Sequence, residues 1–427
     1  MTDRRSADRF SHINSAGAGL LGLPLAFVAL PVYVHLPHWY ATHFGVPLTV
    51  LGGVLLFSRL IDAVIDPWLG RLSDRLYARS IQSVLWASGV VALALASGFV
   101  GLFFPLPWAL NGPGHERLLI WAALMLTLSH CAYSALGIMH QSWAAMLGGT
   151  AVQRSRLIAW REGLALLGVM LASALPSLIG MDLTALFLVV ALGLGWMVWS
   201  RGVWPQTRPA ASVWTLTLPW RFSEFRRLLT VFLLNGVASA VPATLVMFFV
   251  QDRIQAPVAQ QPVFLALYFL AGALSLPAWL RGIDRWGLPR TWLAGMGLSV
   301  LAFLGVGALS AGDSTGFLLA CGASGLALGA DLAVPGAMLN GLIERLGYRG
   351  QAEGAFMGWW NLATKLNLAL AAGCALPLLS LWGYAPGSHA PEALWALTLA
   401  YVVLPCALKV CAAAGVYFFF IRQRSWS

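Results

Sequence analysis

Read along the chain, apolar residues come in long blocks separated by short polar or basic turns. The blocks lack the period-two alternation of strands, and a run of about twenty apolar residues is long enough for a helix to cross a bilayer. Twelve blocks fit, at approximately 14–38, 46–72, 80–104, 117–147, 155–180, 183–201, 226–250, 258–281, 289–311, 314–340, 352–382 and 393–421. The longest internal break, Arg201 to Arg227, divides them six and six. It contains Pro205, Pro209 and Pro219, five arginines, and the amphipathic piece Trp220-Arg-Phe-Ser-Glu-Phe-Arg-Arg227, which suits a membrane surface. The expected fold is all-α and membrane-spanning: an N-terminal six-helix bundle over 1–201, a cytoplasmic linker over 202–225, and a C-terminal six-helix bundle over 226–427.

Composition agrees, with 59% hydrophobic residues and 10% charged and a mean hydropathy of +0.76. A net charge of +10 would suit a nucleic-acid partner if it lay on one soluble face. It does not. Of the 26 Lys and Arg residues, all but Arg59, Arg117, Arg161, Arg253, Lys365 and Lys409 fall in the two tails or in alternate turns between blocks. That asymmetry is an orientation signal and puts both termini in the cytoplasm. Arg4, Arg5 and Arg9 precede the first block without a small-residue cleavage site, so an uncleaved first helix is expected. The five cysteines (Cys131, Cys321, Cys374, Cys406 and Cys411) sit in apolar blocks without metal-ligand spacing. His35, His38 and His43 are expected at a surface, not around a metal.

The polar residues inside the blocks carry the candidate chemistry. The second block holds Arg59, Asp62 and Asp66, whose spacing puts them on one helical face. A charge at bilayer depth costs roughly 2.5–3.5 kcal/mol on insertion scales, so three must face protein or water. An Arg59–Asp62 ion pair holding helices together is one reading. A cation or proton site on two carboxylates one turn apart is the other. Pro67 follows Asp66, and Gly70, Asp74 and Arg75 end the helix in a basic turn. An equivalent turn, Leu280-Arg-Gly-Ile-Asp-Arg-Trp-Gly287, follows the second block of the other half. Paired Asp74-Arg75 and Asp284-Arg285 point to a duplicated transporter and to gating residues.

Further along, Tyr133, Ser134, His140, Gln141, Ser142 and Trp143 make the fourth block polar. Arg161 and Glu162 lie about a turn and a half into the fifth. Neighbours on a helix point about 100° apart, so one should face a cavity and the other a flanking helix. Asp331, the tenth block's acid, precedes Pro335 and Asn340 and is a candidate for substrate binding or for capping a broken helix. Lys365 lies mid-block with Asn361 one turn before it, too deep to snorkel, and Asp62 and Asp66 are its obvious partners. Lys409 is expected to snorkel or to face a neighbouring helix.

The pattern Arg59-x-x-Asp62-x-x-x-Asp66-Pro-x-x-Gly70-x-x-x-Asp74-Arg75, with Trp160-Arg161 and Glu353-Gly354…Asn361-x-x-x-Lys365, resembles the glycoside–pentoside–hexuronide:cation symporters of the major facilitator superfamily. The resemblance covers most of the chain. It implies that Asp62, Asp66 and Lys365 couple a cation, and that Arg161, Trp360 and Asn361 reach the substrate. Glu162, His140, Gln141, Trp143 and Asp331 join the substrate candidates, and Arg59 the gating set. Ile65 stands where a sodium-binding member has a polar residue, which favours a proton, with sodium as the alternative. The first block is apolar from Leu20 to Leu30 and the fourth has no acid, so a simple disaccharide held by carboxylates is not expected. A small organic or amphipathic, lipid-like solute is.

The expected protein is therefore an inner-membrane secondary transporter, monomeric, surrounded by lipid, with no cofactor, no metal and no nucleic-acid partner. Two rivals remain. A lipid-acting membrane enzyme would need His140 with Ser142 or Glu162 as nucleophile and base, and no recognised spacing supports that. A transporter-like sensor would move nothing, and no appended soluble segment supports it.

Overall fold

In the computed structural model, residues 12–46, 48–111, 115–205, 216–257, 260–384, 387–388 and 390–422 are described. Arg4, Arg5, Arg9, Arg208 and Pro209 lie outside them, as do residues 206–215 of the linker. Every regular element among the described residues is helical. The first span is segmented into α1 (His12–Gly19), α2 (Gly22–Leu30) and α3 (Leu36–Phe44), with a π-helical turn at Pro31–His35. There follow α4 (Leu48–Arg79), α5 (Ile81–Phe103), the short α6 (Pro107–Leu110), α7 (Glu116–Leu147) and α8 (Ala151–Ser200). Then come α9 (Ser223–Phe248), closed by a second π-turn at Phe249–Ile254, α10 (Gln261–Trp286), α11 (Leu288–Gly307), α12 (Ser314–Arg345), α13 (Glu353–Leu381), α14 (Pro391–Thr398) and α15 (Leu404–Val416). Among the described residues nine helices are long and apolar enough to cross a membrane by length and composition. At 1.5 Å per residue, the 32-residue α4 spans about 48 Å, well beyond a hydrocarbon core of about 30 Å.

The helix breaks follow local chemistry. Ser80, extended at φ −174°, ends α4 and caps α5 by accepting the Ser83 amide at 3.0 Å. The fifth and sixth spans are two helices joined end to end in α8. Gly180 separates them at φ 80°, a conformation open to glycine and costly for a side chain, just after Pro176.

Contacts divide the chain into two compact units. The first gathers 1–149, 156–219 and 343–362, and the second gathers 150–155, 220–342 and 363–427. In the first, α4 and α5 both pack along α7. Its core includes Leu21, Phe27, Leu95, Phe99, Leu126, Leu136 and Trp199. Tyr40 donates to the Leu102 carbonyl and Tyr77 to the Met139 carbonyl, both at 2.9 Å, so each buried phenol satisfies its hydroxyl. In the second unit α15 packs against α9 and α11. An aromatic core there stacks Phe249 on Tyr401, ring centroids 4.1 Å apart, with Phe264 and Phe317 beside them.

Candidate functional site

In the first unit Asp62 and Asp66 are both buried on α4, while Arg59 is exposed. Ser134 on α7 donates to an Asp62 carboxylate oxygen at 2.7 Å. One turn earlier on both helices, Ser58 Oγ lies 3.3 Å from Nδ1 of His130. The two contacts share an offset of 72 residues, so α4 and α7 run side by side in register with one polar rung per turn. All four side chains are buried. The same offset carried on from Asp66 meets Ile138, an apolar residue. A buried pair of acids, one of them bonded to a hydroxyl, is suited to taking up a small cation or a proton, because in a low-dielectric setting a carboxylate gains much from either.

The C-terminal end of α4 meets the start of α13 backbone to backbone. A Cβ on Gly70 would sit 2.0 Å from the Gly354 carbonyl oxygen. One on Gly354 would sit 2.1 Å from the Gly70 oxygen, and one on Gly358 2.6 Å from the Asp66 oxygen. Only hydrogen fits at these three positions. The close approach brings Asp74, itself buried, under the first amides of α13: its carboxylate accepts Gly354 N at 2.5 Å and Ala355 N at 2.8 Å. A carboxylate at a helix N-terminus satisfies orphan amides and opposes the positive end of the helix dipole. Glu353 folds back to accept the Gly350 and Gln351 amides of the preceding turn. Arg349 crosses over Gly148 (φ 68°) and donates to the Met146 and Leu147 carbonyls at 3.1 and 2.7 Å, closing the end of α7, and also to Glu344 at 2.8 Å. Arg75 is exposed.

Arg161 and Glu162 pair with each other through two donors of one guanidinium, Nε at 3.0 Å and Nη2, onto one carboxylate oxygen. This corrects the expectation that they would turn to different neighbours: both side chains are long enough to curl back together, and both remain half-buried. They lie ten residues into α8, about 15 Å along it. The backbone of Arg161 touches α1–α2 where Gly19 and Gly22 leave room. His140 hydrogen-bonds the Ala18 carbonyl at 2.9 Å and stacks on Trp143, whose indole donates to the Val203 carbonyl at 3.0 Å. Both are buried in an aromatic group with Trp199 and Trp204. Their polar atoms hold helices together. Gln141 and Asn361 are half-buried and Trp360 is buried. His43 is exposed and His35 half-buried.

In the second unit Asp331 is the centre of a cluster. Lys409 donates to it at 2.9 Å and to Ser239 at 2.8 Å. Asn235 and Trp292 both donate to its other oxygen, at 3.0 and 2.9 Å. Four helices, α9, α11, α12 and α15, are tied through one carboxylate. Asp331 therefore holds its own unit together instead of capping a broken helix, and Lys409 is buried where snorkelling was one expectation. Asp284 is exposed on the last turn of α10. At the other end of the unit, Tyr384 and the Gly387 amide donate to Asp252. Burial first, then that hydrogen bond, pushes the Tyr384 hydroxyl's pKa up and keeps it a donor. Lys365 belongs to this unit and is half-buried.

Sequence reasoning missed Arg349, His130 and the Asp331–Lys409 pairing. For the pair a signal existed: two opposite charges in late apolar blocks, neither near an end.

Residues 15–423 match the family described as MFS/sugar transport protein. The inner membrane symporter YicJ of Escherichia coli is 31% identical over 146 residues, covering 34% of this chain and 30% of YicJ. The putative glycoside/cation symporter YagG of the same organism is 28% identical over 171 residues, covering 38% and 35%. The chain thus matches about a third of the length of these relatives. Among solved structures, a bacterial homologue of the iron transporter ferroportin shares the fold at TM-score 0.70 and 16% identity, over 96% of this chain and 100% of that one. The E. coli fucose:proton symporter does so at TM-score 0.67 and 12% identity, over 95% and 99%. An all-helical chain with nine membrane-length apolar helices among the described residues, a buried acid pair on α4 and a family match over nearly the whole length agree: the chain belongs to the MFS/sugar transport protein family, the glycoside–pentoside–hexuronide:cation symporter branch of the major facilitator superfamily.

Proposed function

We propose that this protein is a proton-coupled symporter of the inner membrane that carries a small organic or amphipathic solute by alternating access. The observation that carries the reading is the buried pair Asp62 and Asp66 beside the Ser134 hydroxyl. Protons bind at these acids, and Lys365 supplies the competing positive charge when no proton is bound. The bundles 1–201 and 226–427, joined by the linker 202–225, rock about a midplane site, with both termini cytoplasmic. Asp74 and Arg75, with Arg59, tune the conformational equilibrium, and the exposed Asp284 and Arg285 contribute to it only weakly. Arg161, Glu162, Trp360 and Asn361 contact the solute, and Gln141 lies near it. Because Arg161 and Glu162 neutralise one another, they favour a neutral or zwitterionic solute over an anion. YagG's description as a glycoside/cation symporter supports a glycoside-like neutral substrate.

A second reading, sodium coupling, draws support from Ser134, whose oxygen could serve as a ligand beside Asp62. The test is uptake of a glycoside panel into proteoliposomes under an imposed pH gradient, in sodium and in choline media. Accumulation that follows the pH gradient equally in both media supports proton coupling. Accumulation only in sodium overturns it. Asp66→Asn should lose gradient-driven accumulation while keeping counterflow, and full accumulation by that variant would remove the acid pair from coupling.

A further inference from the structure

In the second unit the beginning of α9 meets the π-helical turn Tyr417–Ile421 that closes α15, in a group of arginines that no step of transport uses. The two helices press together at Val231 and Gly415, where a Cβ on the glycine would lie 2.8 Å from the valine side chain. One turn toward this end, the Arg227 guanidinium stands over the Phe419 ring, 5.5 Å from its centroid. On the adjacent ring, Arg422 stands over Phe418 at 6.0 Å. Arg226 donates to the Trp220 carbonyl at 2.6 Å, which folds the Trp220–Arg221 turn back onto α9. Residues 220–227 and 417–422 thus hold four arginines against one glutamate, Glu224, which is exposed and accepts the Ser223 hydroxyl. An aromatic face attracts a cation without cancelling its charge, so the excess remains. The surface leading away from it is apolar. Val410, Ala414, Tyr417 and Phe418 make an exposed stripe at helical spacing, and Arg422 ends it. On a membrane-spanning helix such a stripe meets acyl chains.

We propose that this end of α9 and α15 is a binding site for one anionic phospholipid. Arg226 and Arg422, both exposed, hold the phosphate, one from each helix, with Arg221 and Arg227 flanking it. An acyl chain lies along Phe418 and Ala414. The charge selects the headgroup, because each arginine near a membrane surface strengthens the hold on an anionic lipid about fivefold and does little for a zwitterionic one. The stripe selects the lipid over a free phosphate ion, which would meet the same guanidinia and gain nothing from the apolar surface. Once bound, the lipid joins α9, where the second unit's membrane helices begin, to α15, where they end. The site is independent of which ion couples transport and of which solute is carried.

The test needs no substrate. Native mass spectrometry of the full chain in detergent, titrated with phosphatidylglycerol or with phosphatidylcholine of the same chains, counts bound lipids and gives the affinity of the first. Arg226→Gln/Arg422→Gln should weaken the first phosphatidylglycerol about 25-fold, fivefold for each arginine, and leave phosphatidylcholine unchanged. Both positions are exposed, so thermal unfolding without added lipid should match wild type. Arg79→Gln/Arg281→Gln removes the same charge from exposed positions on other helices and should change neither lipid. Inorganic phosphate should not displace bound phosphatidylglycerol. Equal phosphatidylglycerol affinity in wild type and Arg226→Gln/Arg422→Gln overturns the site. So does an equal loss in Arg79→Gln/Arg281→Gln, which would assign the effect to net charge alone. Displacement by inorganic phosphate overturns the lipid as occupant.

Discussion

Asp74 and Asp284 occupy equivalent places in sequence, each next to an arginine, and where a turn was expected both lie inside the second helix of their half, because α4 runs on to Arg79 and α10 to Trp286; yet the structure treats them oppositely. Asp74 is buried and holds the first amides of α13, whereas Asp284 is exposed on the last turn of α10. The difference lies in the glycines. Gly70 lets α4 close on Gly354 until a carboxylate one turn further can reach free amides. In α10, a Cβ on Gly282 would meet side chains and no backbone, Thr291 at 3.3 Å and Trp286 at 3.5 Å. The second unit instead places its tied acid mid-helix, at Asp331. An internal repeat therefore preserves residue types more faithfully than it preserves their work.

The largest expected effect comes from the second unit's solution. Lys409→Met leaves a carboxylate without its positive partner and should cost about 3–5 kcal/mol. Thermal unfolding in detergent measures it, and the double variant Lys409→Met/Asp331→Asn should recover most of the loss. Equal instability of the double variant would mean that the pair's packing, not its charge balance, matters. Next is Gly70→Val, which drives a side chain into the Gly354 carbonyl. Overpacking of this kind costs about 1–3 kcal/mol, and transport should be abolished because the two backbones can no longer meet. Normal uptake by this variant would show that the close approach is dispensable.

Asp74→Ala should cost about 1 kcal/mol, the usual value of a lost N-terminal cap, and should change the rate of transport more than the affinity for solute. Measuring uptake rate beside equilibrium binding separates the two. The smallest effect belongs to Asp284→Asn, within about 0.5 kcal/mol as for other surface changes, with transport close to wild type. A loss as large as that of Asp74→Ala would restore the symmetry that the structure denies.

Much of this was readable from the chain. Block length and basic turns gave the spans, since a bilayer accepts little else. The acids of α4 stood out because charge is rare at such depth. Gly180, by contrast, was hidden: the fifth and sixth blocks are apolar on both sides of it, and a φ of 80° leaves no mark on hydropathy. Arg349 looked like one more cytoplasmic arginine, and its reach across Gly148 depends on a turn that spacing does not encode. His130 lay unnoticed in the fourth block because its partner, Ser58, is 72 positions away. Arg161 and Glu162 misled in a simpler way, because the 100° rule governs where side chains start and not where long ones finish.

The bare contact at Gly70, Gly354 and Gly358 has a consequence for hydration. Most helix pairs meet through side chains, so parting them uncovers hydrocarbon. Here parting uncovers peptide groups, and the amides held by Asp74 must find water as soon as the carboxylate leaves. Opening this contact is thus a wetting event, drawing in solvent instead of repelling it. Under the proposed alternating access, water activity joins solute concentration as a variable, and an osmolyte excluded from the protein surface should hold this end of the first unit shut.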